Sequence, residues 1–72
     1  MFGKEKYKRF IVANKYSLGF ENIKIIVDIE TGVNYLEIYS SYGNSLTPLL
    51  NSEGSVVISS PQELNSLKNK ND

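Results

Sequence analysis

Apolar positions along this chain recur with a two-residue period over most of its length, and short clusters of turn residues cut that pattern into segments. In Arg9-Phe10-Ile11-Val12-Ala13, β-branched and aromatic residues predict a strand with Phe10 and Val12 on one face and Ile11 and Ala13 on the other. Both faces are apolar, so cover on both sides is expected. Residues 14–22 contain Ser17, Gly19 and Asn22 and read as a loop, although Tyr16, Leu18 and Phe20 still alternate and could extend the strand or cap the core. A second strand, 23–29, turns Ile23, Ile25 and Val27 inward and Lys24 and Asp28 outward, with Ile26 breaking the alternation. A third, 33–40, sets Val33, Tyr35, Glu37 and Tyr39 on one face and Asn34, Leu36, Ile38 and Ser40 on the other. Leu36 and Ile38 are the core candidates there.

The punctuation between these runs is specific. Asp28-Ile29-Glu30-Thr31-Gly32 fits a hairpin built on a type I turn, with Asp28 bonding turn amides and Gly32 in the left-handed conformation. Asn51-Ser52-Glu53-Gly54 repeats this chemistry and predicts a second hairpin from 46–50 and 55–58. Pro48 cannot donate to a ladder, which places the fourth strand at an edge or interrupts it. Ser60-Pro61-Gln62-Glu63 reads as a capping box opening a helix over about 61–68, with Leu64 and Leu67 to pack one turn on the sheet. The expected fold is mostly β: a small antiparallel meander of four to five strands, open or curled into a half-barrel, with one short C-terminal helix. It forms a single domain over 1–68. Residues 1–6 are expected to fray apart from Phe2, which could dock on the body, and 69–72 to form a disordered tail.

At 72 residues, a chain buries only about 60% of the surface it exposes when unfolded, so the margin of stability is thin. The usual aids to such small domains are disulfides, a structural metal or oligomerisation. The absence of cysteine and histidine removes the first and leaves no soft or imidazole ligand for zinc. A homo-oligomer is therefore expected. Eight basic and eight acidic residues balance to zero formal net charge, which argues against a nucleic-acid partner held by counterion release. Lys4, Lys6, Lys8 and Arg9 at one end, with Lys68 and Lys70 at the other, read as solvated termini. No apolar run approaches the roughly 20 residues of a membrane span, and the start lacks the apolar core of a signal peptide. No membrane is expected as partner, and the location expected is the cytoplasm.

The chain also lacks the commonest general base and the thiol nucleophile. Asp28, Glu30 and Glu53 flank turns, as solvated carboxylates do, and mid-strand Glu37 is the one carboxylate that an interface or pocket could use. A non-enzymatic protein is expected, without metal or cofactor; a small hydrolase or lyase using Glu37 or a tyrosine is the remote alternative. The candidate ligand-binding segment lies within residues 40–45, which read as a connection longer than a tight turn requires. Tyr42, Gly43, Asn44 and Ser45 there, with Thr47 and Asn34 adjoining, offer free amides, hydroxyls and a ring able to stack on a base. Five tyrosines without tryptophan favour an interface, for which Tyr35, Glu37 and Tyr39 are the candidate stripe.

The segments IIVDIETGVNYL and YGNSLTPLLNSEGSVVI resemble a family of short uncharacterised proteins from Gram-positive bacteria and their phages, over residues 1–58. Members of that family carry a glycine-rich loop before L-T-P-L-L, where this chain has Asn44 and Ser45. The resemblance implies no established activity. Its phage association suggests, by analogy, a counter-defence protein in the bacterial host's cytoplasm that sequesters a phosphate- or nucleotide-containing small molecule. The alternative is a protein-interaction or inhibitor module acting on a host protein through its tyrosine-rich face or its sheet edge.

Overall fold

The alternating segments form four strands, β1 (Phe10–Leu18), β2 (Glu21–Asp28), β3 (Asn34–Ser40) and β4 (Gly43–Pro48), followed by one helix, α1 (Pro61–Lys70). The computed structural model describes residues 8–70; the expectations for Phe2, for the first six residues and for the last two lie outside them. The strands pair antiparallel in the order β1-β2-β3-β4, a meander in which each neighbour in sequence is a neighbour in space. β1 and β4 do not meet, so the sheet is open and uncurled, and the half-barrel is not formed.

Two connections are tighter than the sequence suggests. Residues 14–18 continue β1 and the turn shrinks to Gly19-Phe20, with Gly19 at φ 59°. The alternation of Tyr16 and Leu18 outweighed the loop signal of Ser17, whose hydroxyl instead meets the Asn22 side chain across the hairpin at 3.2 Å. Likewise the ladder between β3 and β4 runs to Ser40 opposite Gly43, which leaves Ser41-Tyr42 as a tight turn rather than a long loop. The second hairpin is reduced to the isolated bridge of Leu50 with Val56, and Ile58 bridges instead to Val33, ahead of β3. Its turn forms as expected, with Asn51 Oδ1 accepting the Glu53 and Ser55 amides and Gly54 at φ 83°. α1 has the expected capping box: Ser60 N–H donates to Glu63 Oε1 at 2.7 Å, and Glu63 N–H donates to Ser60 Oγ at 3.2 Å. The helix continues to Lys70, two residues beyond the expected end.

Directly paired residues share a face of the sheet, so the register assigns every side chain. Val12, Ile26, Tyr35 and Pro48 form one row across all four strands, and Phe10 lies on the same face. Ile11, Val27 and Asn34 form a row on the other. A β-bulge at Ala13 separates Val12, opposite Ile26, from Asn14, opposite Ile25. The extra residue reverses the parity of the strand. Tyr16 and Leu18 consequently join the Ile11 face rather than the Phe10 face.

The core occupies one end of the Ile11 face. Ile11, Val27 and Ile29 are the buried apolar residues, with Asp28 and Asn34 buried beside them. Here the segment after Pro48 returns: Asn34 N–H donates to the Val57 carbonyl at 3.0 Å, Leu49 N–H to the Asn34 carbonyl at 3.0 Å, and Ser59 N–H to the Gly32 carbonyl at 2.8 Å. α1 then comes up against β1 and no other strand. At the opposite end, where both hairpins turn, Tyr16, Leu18, Phe20 and Tyr42 are exposed.

Candidate functional site

The Phe10 face combines an apolar half with a charged half. Phe10, Ile26, Tyr35 and Leu46, one from each strand, line a shallow depression of about 430 Å³. Its outer walls are open: Phe10 and Leu46 expose 55% and 64% of their surface. Ile26, which breaks the alternation of β2 in the sequence, is thereby explained, because β2 is apolar on both faces here. Toward the hairpin tips the same face turns polar. Lys24 sits directly opposite Glu37, a favourable cross-strand pairing, and its ammonium lies 4.9 Å from the centre of the Tyr39 ring. Lys15 sits opposite Lys24 on the other side. Tyr35, Glu37 and Tyr39 thus form one stripe along β3, half-buried, between the depression and this charge cluster.

The buried end of the sheet is anchored by Arg9 and Asp28. The guanidinium donates from Nε to Asp28 Oδ1 at 2.9 Å and from Nη2 to Oδ2 at 2.8 Å, a two-point pairing that fixes orientation as well as charge. Asp28 Oδ1 also accepts the Glu30 amide at 2.9 Å. The Arg9 hydrogen bond, aided by the Glu30 amide and the Thr31 hydroxyl, holds the carboxyl far below the usual carboxylate range against the opposing effect of burial. Asp28 therefore stays ionised and closes the β2–β3 turn. The turn-amide role expected of Asp28 holds, but its expected outward, solvated position does not: it is buried, and Arg9, read as part of a strand start and a solvated terminus, is the partner that makes this burial tolerable. The remaining signal was an arginine beside a strand residue whose register brings it to Asp28.

The residues expected to hold a ligand are not gathered into one place. Tyr42 stands 92% exposed in the turn, its amide donating to Ser40 Oγ at 3.1 Å. Asn44, opposite Tyr39, is on the Phe10 face, whereas Ser45, opposite Ile38, and Thr47, opposite Leu36, are on the Ile11 face. Gly43 takes a φ of 142° at the strand start. Asn34 is buried, and its Nδ2 donates to the Gly32 carbonyl at 3.0 Å and to Ser59 Oγ at 2.9 Å. Its amide thus ties the returning segment to β3. Among the described residues no group of histidine, cysteine, aspartate and glutamate is placed to hold a metal ion, and no helix is long and apolar enough to cross a membrane.

An open four-stranded meander with one helix, an apolar depression on one face and no gathered polar cleft defines a small β domain built around its surfaces. Residues 9–59 match the family of unknown function DUF6440, which is most of the chain, and the protein belongs to that family. Neither the curated proteins nor the solved structures contain a match.

Proposed function

We propose that this protein is a non-enzymatic interaction module that holds a protein partner on the Phe10 face and along the free edge of β4. The observation that carries this reading is the apolar row Val12, Ile26, Tyr35 and Pro48, which crosses all four strands and reaches the outermost one. Among the described residues β4 pairs with β3 on one side only, so its outer edge offers backbone groups to an added strand. A partner strand laid there extends the row, and one of its apolar side chains adjoins Leu46 at the rim of the depression. Tyr35, Tyr39 and Glu37 supply the aromatic and charged contacts that commonly anchor such interfaces. Lys24 and Lys15 favour acidic groups on the partner at the tip end. A bacterial host protein fits this reading, with the module acting in the cytoplasm of the host.

The test is site-specific photo-crosslinking in cells. A photoreactive residue at Leu46 is expected to give a discrete protein adduct that Tyr35→Ser or Tyr39→Ala abolishes, while one at Glu53 gives none. The competing reading, a phage protein that sequesters a nucleotide-like molecule, draws on the exposed Tyr42 ring and the hydroxyls of Ser45 and Thr47. Calorimetry against cyclic and ADP-ribose nucleotides decides between the two. Heat of binding that disappears in Tyr42→Ala, without any adduct at Leu46, overturns the interaction module in favour of sequestration.

A further inference from the structure

The two edges of the sheet differ in how they are protected. β1 is interrupted by the bulge at Ala13, carries Lys15 and has α1 against it; a bulge, a lysine and a covering element each stop a foreign strand from adding to an edge. β4 has almost none of these devices. Gly43–Pro48 contains no charged residue, pairs with β3 without a bulge and is exposed at every position. Its one interruption is Pro48, the last residue of the strand.

The register shows which backbone groups that edge offers. The two-residue turn at Ser41-Tyr42 makes Ser40 with Gly43 a hydrogen-bonded pair, and such pairs alternate along an antiparallel ladder, so Ile38 with Ser45 and Leu36 with Thr47 are hydrogen-bonded too. The Leu49 N–H donating to the Asn34 carbonyl at 3.0 Å continues the series. Pro48, which has no N–H, accordingly falls opposite Tyr35 at a position that β3 does not bond. Asn44, Leu46 and Pro48 therefore direct their backbone groups away from the sheet, and among the described residues no other backbone group takes them. Their side chains all lie on the Phe10 face.

We propose that the occupant of this edge is an extended segment of another protein, added antiparallel to β4 in the register that Asn44 and Leu46 dictate and stopped at Pro48. The inference rests on the interaction module proposed above and specifies its partner. Residues facing Asn44 and Leu46 exchange both bonds with them, whereas the residue facing Pro48 can only donate to its carbonyl. The side chains of these partner residues join existing rows of the sheet. Taken from the N-terminus of the segment, the residue facing Pro48 extends the row Val12, Ile26 and Tyr35 and is apolar. The residue two positions on faces Leu46, whose side chain is 64% exposed, and is apolar as well. The residue two further on faces Asn44, at the end of the row Ser17, Asn22 and Tyr39, and is polar. The intervening residues lie beside Thr47 and Ser45 and need only favour the extended conformation. The chemistry recognised is thus an apolar-x-apolar-x-polar strand with its amides free at alternate positions.

Panning a displayed library of short linear peptides on the full chain, followed by amide hydrogen exchange of the complex, tests this. Selected peptides are expected to share that spacing and to slow exchange at Asn44 and Leu46, which exchange freely in the protein alone. Methylating the nitrogen of the peptide residue that faces Leu46 is expected to weaken binding about tenfold or more, while methylating the next residue, whose N–H points away from β4, changes it little. Leu46→Pro removes an outward donor without touching the bonds to β3 and should weaken binding as much; the methylated peptides decide should that variant fail to fold. Asn44 and Leu46 amides already protected in the protein alone overturn the proposal, the edge then being taken by the chain's own residues at single mass or by a second copy at double mass. Selected peptides that lack the spacing, or that leave exchange at Asn44 unchanged, also overturn it. A photo-adduct at Leu46 in cells, with no selected peptide slowing exchange at Asn44 and Leu46, leaves the interaction module standing and removes only the added strand; absence of the adduct removes the module as well.

Discussion

Gly32 and Ser59 meet backbone to backbone. Ser59 N–H donates to the Gly32 carbonyl at 2.8 Å, and a β-carbon placed on Gly32 would come within 2.8 Å of the Ser59 carbonyl oxygen and 3.1 Å of the Ile58 side chain. Gly32 thus serves two requirements at once, a φ of 83° that ends the hairpin turn and a surface flat enough for the returning chain. Gly54 has the same φ of 83° with nothing within 4 Å. The pair separates conformational strain from steric exclusion. Gly54→Ala is expected to cost about 1 kcal/mol for the left-handed backbone alone. Gly32→Ala should cost about 3 kcal/mol, because backbone must also shift. Urea unfolding of both variants measures the difference, and equal losses would mean that the segment around Ser59 is not held as described.

Asn34 connects the same two segments through its side chain. Asn34→Ala removes the donor to the Gly32 carbonyl and to Ser59 Oγ from a buried position and is expected to cost about 1–2 kcal/mol. Asn44→Ala, at an exposed strand position, should change stability by less than about 0.5 kcal/mol. Chemical denaturation of the two variants side by side checks this. A comparable cost at Asn44 would point to a structural contact at β4.

Much of the fold could be read directly from residue pattern and turn chemistry. Asp28 to Gly32, Asn51 to Gly54 and Ser60 to Glu63 each form as their side chains dictate, because each motif is local and satisfies its own amides. The assignment of side chains to faces in β3 is legible for the same reason, since one unbroken strand preserves parity. What could not be read is parity across Ala13, because a bulge depends on how two strands align and has no fixed signature in either. The shortness of the turn at Ser41-Tyr42 was hidden by Ser40, Gly43, Asn44 and Ser45, whose loop preferences yielded to pairing with β3. That misjudged length is what made residues 42–47 resemble one cradle, when a strand necessarily sends Asn44 and Ser45 to opposite faces. Asn34 was proposed as a ligand contact from its polarity, yet its burial comes from a segment 25 positions later in sequence.

The stability of the protein should fall in acid through Asp28. Its carboxyl is held below its ordinary value in the folded state, above all by the Arg9 hydrogen bond, so folding favours the ionised form. The contribution is complete above the unfolded value of about 3.9 and is lost progressively as pH falls below it toward the folded value. Thermal unfolding followed by circular dichroism should show a decline in midpoint below about pH 4 that is smaller in Asp28→Asn and in Arg9→Ala. An identical acid decline in both variants would assign the loss to other carboxylates.

The bulge at Ala13 leads to a prediction about chain length rather than side-chain chemistry. With Ala13 in place, Tyr16 lies opposite Ile23 and Leu18 opposite Glu21, on the face that carries Ile25 and Leu36. Deleting Ala13 brings Asn14 directly after Val12, so that Val12 opposite Ile26 and Asn14 opposite Ile25 become consecutive pairs of a regular ladder. Both halves of β1 then keep their partners and their faces. The deletion removes only the bulge and its local twist, at an expected cost of about 1 kcal/mol or less. Nuclear Overhauser contacts between the Tyr16 ring and the Ile23 methyl groups should be present in the wild type and in the deletion alike, with Ile11 protected in both. Loss of those contacts in the deletion would show that Ala13 is not the residue that the ladder leaves unpaired.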